Sequence, residues 1–202
     1  LDERGGALNP LGYARGLARA ASLSGAKIYS KTPVNSMVRQ GDHWRVSTVR
    51  GSVTADQIVF ATGAFTENLS GSFTGKEIMP LRAYQAISEP LPANVISSVL
   101  PGGQPLNDTR RMFSGVRLWP DGRLHVGVDG PLFRANAYGW LSEATRRLRM
   151  MFPQIRTLNW EHHWAGWIDM TADHYPRLHR IAPGVFTGYG FSGRGVAIAT
   201  LM

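Results

Sequence analysis

The last eighteen residues of the chain carry the pattern that most constrains its fold. A short apolar strand runs through closely spaced glycines into a helix of small residues, in the order Val185-Phe-Thr-Gly-Tyr-Gly-Phe-Ser-Gly-Arg-Gly-Val-Ala-Ile-Ala-Thr-Leu-Met202. Glycine lacks a Cβ and adopts positive φ at little cost, so this backbone can closely approach a flat or phosphorylated ligand. The helix that starts near Gly193 presents unpaired N–H groups and the positive end of its dipole. We therefore predict an electron-rich ligand at this turn.

The spacing Gly188-x-Gly190-x-x-Gly193 also matches the dinucleotide-binding fingerprint. That fingerprint is informative inside a strand–helix–strand unit with an acidic residue about 20 positions further on. The sequence ends nine residues after Gly193, so it does not contain that acidic position. A glycine-rich turn with a purely structural role would explain the same residues.

A second segment combines a buried strand with a small-residue end. Ile58 to Ala61 is fully apolar and leads into Ala61-Thr62-Gly63. Ligands of open α/β sheets bind at the carboxyl ends of the strands, where small residues let the backbone touch a cofactor. An ordinary strand end would give the same pattern when taken alone.

Together, the two segments resemble the FAD-dependent oxidoreductases of the D-amino-acid oxidase type, which include sarcosine, glycine and γ-glutamylputrescine oxidases. Residues 6–34 look like the family's helix and following strand, and residues 61–63 match its internal cofactor-contact motif. Residues 164–176, Trp-x-Gly-x-Ile-Asp-Met-Thr-x-Asp-x-x-Pro, look like the approach to the second cofactor segment, which residues 190–195 resemble. This tryptophan-rich approach is most similar to γ-glutamylputrescine oxidase.

The resemblance implies FAD as cofactor and oxidation of an amine or amino-acid C–N bond, giving an imine that water hydrolyses. It assigns no catalytic side chain and implies no metal. The implied cofactor contacts are Val34, Ala61, Thr62, Gly63, Gly190, Phe191, Ser192, Gly193, Arg194, Gly195 and Val196. The implied substrate contacts are Tyr84, Trp167 and Asp173, and the partner is a small amine or amino acid.

Three departures from the family pattern qualify this expectation. Arg194 replaces the usual histidine and alters the electrostatic surroundings of the flavin. Ala197 replaces a lysine that sarcosine oxidases carry, which argues against a sarcosine-like substrate. No strand–GxGxxG–helix precedes Leu1, and the chain does not begin with methionine. We therefore expect a piece of an enzyme that by itself is inactive and binds FAD weakly or not at all.

The order of elements predicts an α/β fold of mixed α+β type, with a partial FAD-binding layer and an antiparallel-sheet substrate domain. Residues 1–80 are expected to form part of the FAD-binding domain, residues 81–165 the antiparallel domain, and residues 166–202 the return to the first domain. The expected elements are a helix from Pro10, capped by Asn9 and stopped by Gly25, a strand at 26–30, a meander over 34–54, a hairpin of Met112–Trp119 and Arg123–Val128, and a helix from Tyr138 to Phe152. The helix stripe at Leu11, Ala14, Leu17, Ala18 and Ala21 is expected to pack on a sheet.

Composition narrows the possible classes of protein. With 202 residues, 43% of them hydrophobic and 18% charged, the chain has one or two domains, and no apolar run approaches a bilayer-spanning length. The lack of cysteine excludes disulfides and fits the cytoplasm. The paired residues His162 and His163 lack the spacing of a metal site.

A formal net charge of +8 leaves nucleic-acid binding open as a class. The arginines are spread along the chain, however, and the densest group, Arg146, Arg147 and Arg149, falls on a helix with a solvated face. We therefore expect no nucleic-acid partner. A non-catalytic binding or structural module that keeps the fold without a cofactor is the main alternative to an enzyme.

Overall fold

The computed structural model describes residues 6–66, 78–107, 114–129 and 139–201. The described helices are α1 (Pro10–Leu23), α2 (Ala93–Ile96), α3 (Gly139–Met151) and α4 (Gly195–Leu201), with a 3₁₀ turn at Gly63–Phe65. The described strands are β1 (Val34–Gln40), β2 (His43–Thr48), β3 (Gly51–Ala55), β4 (Ile58–Phe60), β5 (Met79–Pro90), β6 (Leu106–Asn107), β7 (Ser114–Leu118), β8 (Arg123–Asp129), β9 (Trp160–Met170), β10 (Arg177–Ala182) and β11 (Val185–Tyr189). The predicted mixed α/β class is confirmed.

The chain divides into two compact units. The sheet unit contains the described residues of 1–7 and 81–167, and the turn unit contains those of 8–80 and 168–201. Strand β9 runs from the sheet unit into the turn unit, since the division falls after Trp167. None of the helices within the described ranges has the length and apolar character that crossing a bilayer requires.

The turn unit contains two small sheets. Strands β1, β2 and β3 form an antiparallel meander, as predicted from its turn residues. The second sheet has the order β10-β11-β4, in which β11 is antiparallel to β10 and parallel to β4. Because parallel strands end at the same edge of a sheet, the segments that follow Phe60 and Tyr189 leave this sheet at one edge.

Helix α1 begins and ends at the predicted residues. The Oδ1 of Asn9 accepts a hydrogen bond from the Gly12 N–H at 2.9 Å, and Pro10 takes the first helical position. Gly25 follows the helix with a φ of +93°, a conformation that suits glycine. The predicted packing of its apolar stripe on a sheet is wrong for the described residues, because no residue of α1 is buried and Leu11 is 57% exposed.

The predicted strand at residues 26–30 is also absent, although its apolar and β-branched composition favours extended backbone. A strand needs a neighbour to hydrogen-bond its backbone groups. None of the described strands pairs with this segment, and the side chains of Ile28 and Tyr29 are 61% and 68% exposed. The prediction is wrong because composition favours extended backbone but does not show whether a strand is available to pair with it.

The sheet unit is built on a five-stranded sheet of order β6-β7-β8-β5-β9. Alternate residues of β8, Leu124, Val126 and Val128, are almost fully buried and pack in one cluster with Ala144 and Leu148 of α3. Gly122 turns the predicted β7–β8 hairpin with a φ of +84°. The parts of the predicted hairpin and helix that fall on residues 112–113 and 138 lie outside the described residues.

Candidate functional site

The segment Gly190–Gly195, here called the glycine turn, joins β11 to α4 through three residues with positive φ. These are Gly190 at +75°, Ser192 at +51° and Gly193 at +79°. A non-glycine residue such as Ser192 adopts this conformation at a cost of about 1–2 kcal/mol. Such a conformation persists only where the surroundings impose it, and it is concentrated at functional sites.

The end of strand β9 holds the glycine turn by hydrogen bonds. The Oδ2 of Asp169 accepts a bond from the Gly190 N–H at 2.7 Å, and its backbone carbonyl accepts one from the Ser192 N–H at 3.0 Å. The Oγ of Ser192 donates to the Gly190 carbonyl at 3.1 Å. Asp169 and Ser192 are 9% and 6% exposed, so these bonds are largely protected from water.

Gly190 and Gly193 lack a side chain for different structural reasons. A Cβ at Gly190 would lie 2.4 Å from the Cγ2 of Thr171, so the packing of the protein itself excludes a side chain there. A Cβ at Gly193 would meet only the Cδ1 of Ile168, at 4.0 Å. The position of Gly193 is therefore open on the side where a side chain would project, which leaves room for a ligand to approach the backbone.

Two backbone N–H groups of the glycine turn and one in the first turn of α4 are available to a ligand. The Arg194 N–H donates to the Phe191 carbonyl at 2.9 Å. The N–H groups of Gly193, Gly195 and Val196, by contrast, donate to no acceptor in the described part of the chain. Backbone donors need a partner, which water or a bound molecule can supply. This segment thus offers neighbouring backbone donors of the kind that an electron-rich group requires.

The second predicted cofactor segment, Ala61-Thr62-Gly63, lies beside the glycine turn. It follows β4, whose Phe60 is in register with Thr187 of the parallel strand β11. A Cβ at Gly63 would lie 3.7 Å from the Oδ2 of Asp169, the same oxygen that accepts the Gly190 N–H. The structure therefore brings together the two segments that the sequence predicted to share a ligand.

Two further predicted cofactor residues have other surroundings. Val34 begins β1 and is paired with Thr48 in the meander, a different sheet from the one that carries the glycine turn. The exposed Arg194 donates from its guanidinium to the His174 carbonyl, so its side chain links the turn to the segment after β9.

Two of the predicted substrate residues lie near the same guanidinium group in the sheet unit. Tyr84 is 5% exposed and stacks on Trp140 with a centroid distance of 5.1 Å. The guanidinium carbon of Arg82 lies 5.5 Å from the Tyr84 ring centroid and 5.7 Å from that of Trp167, which is 47% exposed. Sequence reasoning missed Arg82, although its position two residues before Tyr84 on a strand places both on one face.

The third predicted substrate residue, Asp173, belongs to the turn unit and already has partners. Its carboxylate pairs with Arg177 and accepts the Tyr175 N–H at 3.1 Å. The hydrogen bond from Arg177, together with that from Tyr175, lowers the pKa of Asp173 to about 2. Asp173 is therefore ionised at neutral pH and held within its own loop.

His125 is a buried titratable side chain that sequence reasoning did not single out. It is 9% exposed, and neither ring nitrogen has a hydrogen-bond partner among the described residues. Its ring stacks on Trp164 with a centroid distance of 5.5 Å and lies edge-on to Trp119 at 6.2 Å. Burial, and then the positive charge of Arg117, lower the pKa of His125 to about 4, so its imidazole is neutral at pH 7.

The glycine turn and the Gly63 segment fit a flavin. The Cβ direction at Gly193 is open, the neighbouring N–H groups of Gly195 and Val196 lack described acceptors, and Gly63 adds a second side-chain-free segment. This donor set suits a flat molecule with an electron-rich edge.

The sequence family agrees with this geometry. The family described as FAD dependent oxidoreductase, DAO, matches residues 1–202, so the chain belongs to the FAD-dependent oxidoreductases. The predictions of this family and of FAD as its cofactor are confirmed.

Individual relatives support the same assignment. The chain is 30% identical to the probable oxidoreductase OrdL of Haemophilus influenzae over 203 residues, which cover 99% of this chain and 46% of that protein. It is 26% identical to the γ-glutamylputrescine oxidoreductase of Escherichia coli, with 100% of this chain and 47% of that protein covered. The chain thus spans about half the length of these relatives.

A solved structure shows the fold. The crystal structure of glycine oxidase from Geobacillus kaustophilus superposes with a TM-score of 0.74 at 21% sequence identity. The match covers 93% of this chain and 50% of that one.

Proposed function

We propose that the protein oxidises the C–N bond of an amine or amino acid with FAD. The chemistry that bound FAD supplies is acceptance of a hydride equivalent from the carbon bearing the amine nitrogen, which leaves an imine that water hydrolyses. Family membership supports the cofactor, and the names of relatives such as γ-glutamylputrescine oxidoreductase support an amine substrate.

The observation that carries this proposal is the convergence of the two small-residue segments. Gly63 and Gly190 approach the same carboxylate oxygen of Asp169, and the N–H groups of Gly193 and Gly195 lie on the adjoining turn. We infer that these N–H groups hold the electron-rich edge of the flavin. Fixed donors stabilise negative charge that develops during reaction, because they need no reorganisation at that moment.

The two units have different proposed roles. We assign the turn unit to the FAD-binding domain and the sheet unit to the substrate-binding domain. In the sheet unit, Arg82 and the exposed ring of Trp167 offer a positive charge beside an aromatic face. A guanidinium favours a carboxylate and an aromatic face attracts an ammonium group, so these side chains suit an amino-acid substrate.

Flavin content and anaerobic reduction test the proposal. The complete natural protein, reconstituted with FAD, should show flavin absorbance that bleaches when an amine or amino acid is added without oxygen. A panel should include glycine, sarcosine, proline and γ-glutamylputrescine, because these compounds differ in charge and in nitrogen substitution. Failure to bind FAD after reconstitution would instead favour a non-catalytic module. Bound FAD that no member of a broad amine panel reduces would contradict the substrate class.

A further inference from the structure

Asp169 is a buried carboxylate whose role the family assignment leaves open. It is 9% exposed and forms no ion pair with a described Lys, Arg or His side chain. Burying a carboxylate without a cation is costly unless hydrogen bonds stabilise its charge. The carboxylate has one such described bond, from the Gly190 N–H at 2.7 Å. An apolar side chain would avoid the cost of burial, so a hydrogen-bond acceptor retained at this position points to a specific task.

The task is visible in what Asp169 contacts. Its carboxylate fixes Gly190, where the chain enters the glycine turn, and its carbonyl fixes Ser192 two residues later, at 3.0 Å. Both residues have positive φ. The same oxygen, Oδ2, lies 3.7 Å from the Cβ position of Gly63. One residue therefore spans the two backbone segments that the proposed function gives to the flavin.

The energetic comparison favours a positioning role. A hydrogen bond to a carboxylate is among the stronger kinds, and a buried N–H that loses its acceptor is destabilising. The strain of left-handed Ser192 is of similar size. The contribution of the Asp169 bond is thus large enough to offset the strain of the turn. Without it, a relaxed turn would have to be reordered by the ligand, which weakens binding.

We propose that Asp169 is the positioning residue of the flavin site. It holds the glycine turn in its left-handed conformation beside Gly63 before the ligand binds, and thereby keeps the N–H groups of Gly193 and Gly195 correctly placed. This inference rests on the proposed function for the identity of the ligand. The positioning itself is a property of the ligand-free protein.

Three variants of the complete natural protein separate this role from others. Asp169→Leu keeps the branching at Cγ but replaces both carboxylate oxygens by larger methyl groups and so removes the acceptor, while Asp169→Asn keeps the size and one acceptor oxygen. Asp56→Asn is the matched control, because it removes another carboxylate of the turn unit, which pairs with His43 and accepts no described hydrogen bond from the glycine turn. The dissociation constant for FAD is measured by fluorescence quenching.

We expect Asp169→Leu to weaken FAD binding about tenfold or more, the factor that corresponds to loss of one charged hydrogen bond. Asp169→Asn should keep the dissociation constant within about threefold of the wild-type value, and Asp56→Asn should leave it within about twofold. A folded Asp169→Leu protein that binds FAD with wild-type affinity would overturn the proposal.

Hydrogen exchange gives a readout that does not need the ligand. In the FAD-free protein, the N–H groups of Gly190 and Ser192 should be protected in wild type and in Asp169→Asn. If Asp169→Leu folds, they should exchange rapidly while the amides of β8 stay protected. If Asp169→Leu does not fold, the Asp169→Asn variant provides the test. Wild-type affinity of Asp169→Asn for FAD supports the proposal, whereas lost affinity in a variant whose Gly190 N–H is still protected contradicts it.

Failure of the wild-type protein to bind FAD would refute the proposed function. The exchange experiment would still test whether Asp169 positions the glycine turn.

Discussion

The two compact units bury different kinds of residue. The sheet unit contains the whole apolar cluster that forms the core, namely Tyr84, Ala86, Leu91, Val99, Leu100, Val116, Leu124, Val126, Val128, Trp140, Ala144, Leu148, Phe152 and Ile155. The turn unit buries fewer apolar side chains and adds the polar residues Thr66, Asp169, Thr171, Thr187 and Ser192. Most of these polar residues hydrogen-bond backbone groups in the turns and loops of this unit.

This difference indicates which interactions fix the structure of each unit. In the sheet unit, side-chain packing fixes the structure, because apolar burial is the main favourable term in folding. In the turn unit, hydrogen bonds fix the backbone conformation of a few glycines and Ser192. Substitutions in the first unit should therefore act on stability, and substitutions in the second should act on ligand binding.

The largest expected effect follows from opening a cavity in the sheet-unit core. Leu148 is 0% exposed on α3, so Leu148→Ala should lower the free energy of unfolding by about 3 kcal/mol. On the same helix Met150 is 67% exposed, and Met150→Ala should change that free energy by less than about 0.5 kcal/mol. Urea unfolding followed by circular dichroism measures both values. Equal effects of the two substitutions would show that α3 does not pack as described.

The second effect sharpens the comparison by testing a polar group buried in the apolar unit. The pKa of His125 is lowered to about 4, below the ordinary value of 6.5, so the unfolded chain binds a proton that the folded one excludes. The stability that folding gains from the neutral His125 ring should be fully present above about pH 6.5, be lost as the pH drops, and be fully lost below about pH 4. The expected loss is about 2 kcal/mol, because nearby solvent screens part of the effect.

A ring of similar shape provides the control for His125. His125→Phe keeps an aromatic ring between Trp119 and Trp164 but cannot be protonated. Urea unfolding at pH 7 and pH 4.5 should therefore show a smaller acid-induced loss in the variant than in wild type. The same loss in both proteins would mean that other groups cause the acid sensitivity.

The third effect tests whether a substitution in the turn unit changes ligand binding more than it changes folding stability. Gly193→Ala places a Cβ where only Ile168 is near, at 4.0 Å, so folding should cost only the strain of positive φ, about 1 kcal/mol. FAD binding should nevertheless weaken by about tenfold and flavin reduction should slow, because the added methyl group meets the ligand.

The matched control is a glycine in the same backbone conformation but outside the site. Gly41 turns the β1–β2 hairpin with a φ of +62°, and a Cβ at this position would have no atom within 4 Å. Gly41→Ala should cost a similar amount of stability and leave the dissociation constant for FAD unchanged. Normal FAD binding and normal reduction in Gly193→Ala would show that the glycine turn is a structural element.

Local signals in the sequence predicted much of the fold. The cap at Asn9 and the stop at Gly25 gave the bounds of α1, because capping depends on residues a few positions apart. Turn residues likewise predicted the β1–β2–β3 meander, and the glycine spacing predicted the strand–turn–helix of the last eighteen residues. Residues 26–30 do not form the predicted strand. A strand requires a pairing partner, and local composition does not show whether one is present.

The candidate site divides in the same way. The two small-residue segments were predicted because glycine is required where backbone approaches a ligand. The role of Asp169, which contacts both segments, was not predicted. Asp169 and Gly190 are 21 positions apart, and their hydrogen bond depends on where β9 and β11 end. The position of Arg82 over the Trp167 ring likewise depends on how strands pack together. So does the lack of a hydrogen-bond partner for His125 among the described residues.

The smallest expected effect concerns charge on the surface of the sheet unit. Glu143 on α3 pairs with Arg146 and Arg147, and hydrogen bonds from Arg146 and then Arg147 lower its pKa to about 2. An exposed helix pair contributes only about 0.2–0.5 kcal/mol, because water screens it. Glu143→Gln should therefore lower the free energy of unfolding by less than about 1 kcal/mol, and 1 M NaCl should remove most of the difference. A loss as large as that of Leu148→Ala would mean that surface charge, and not only apolar packing, fixes the sheet unit.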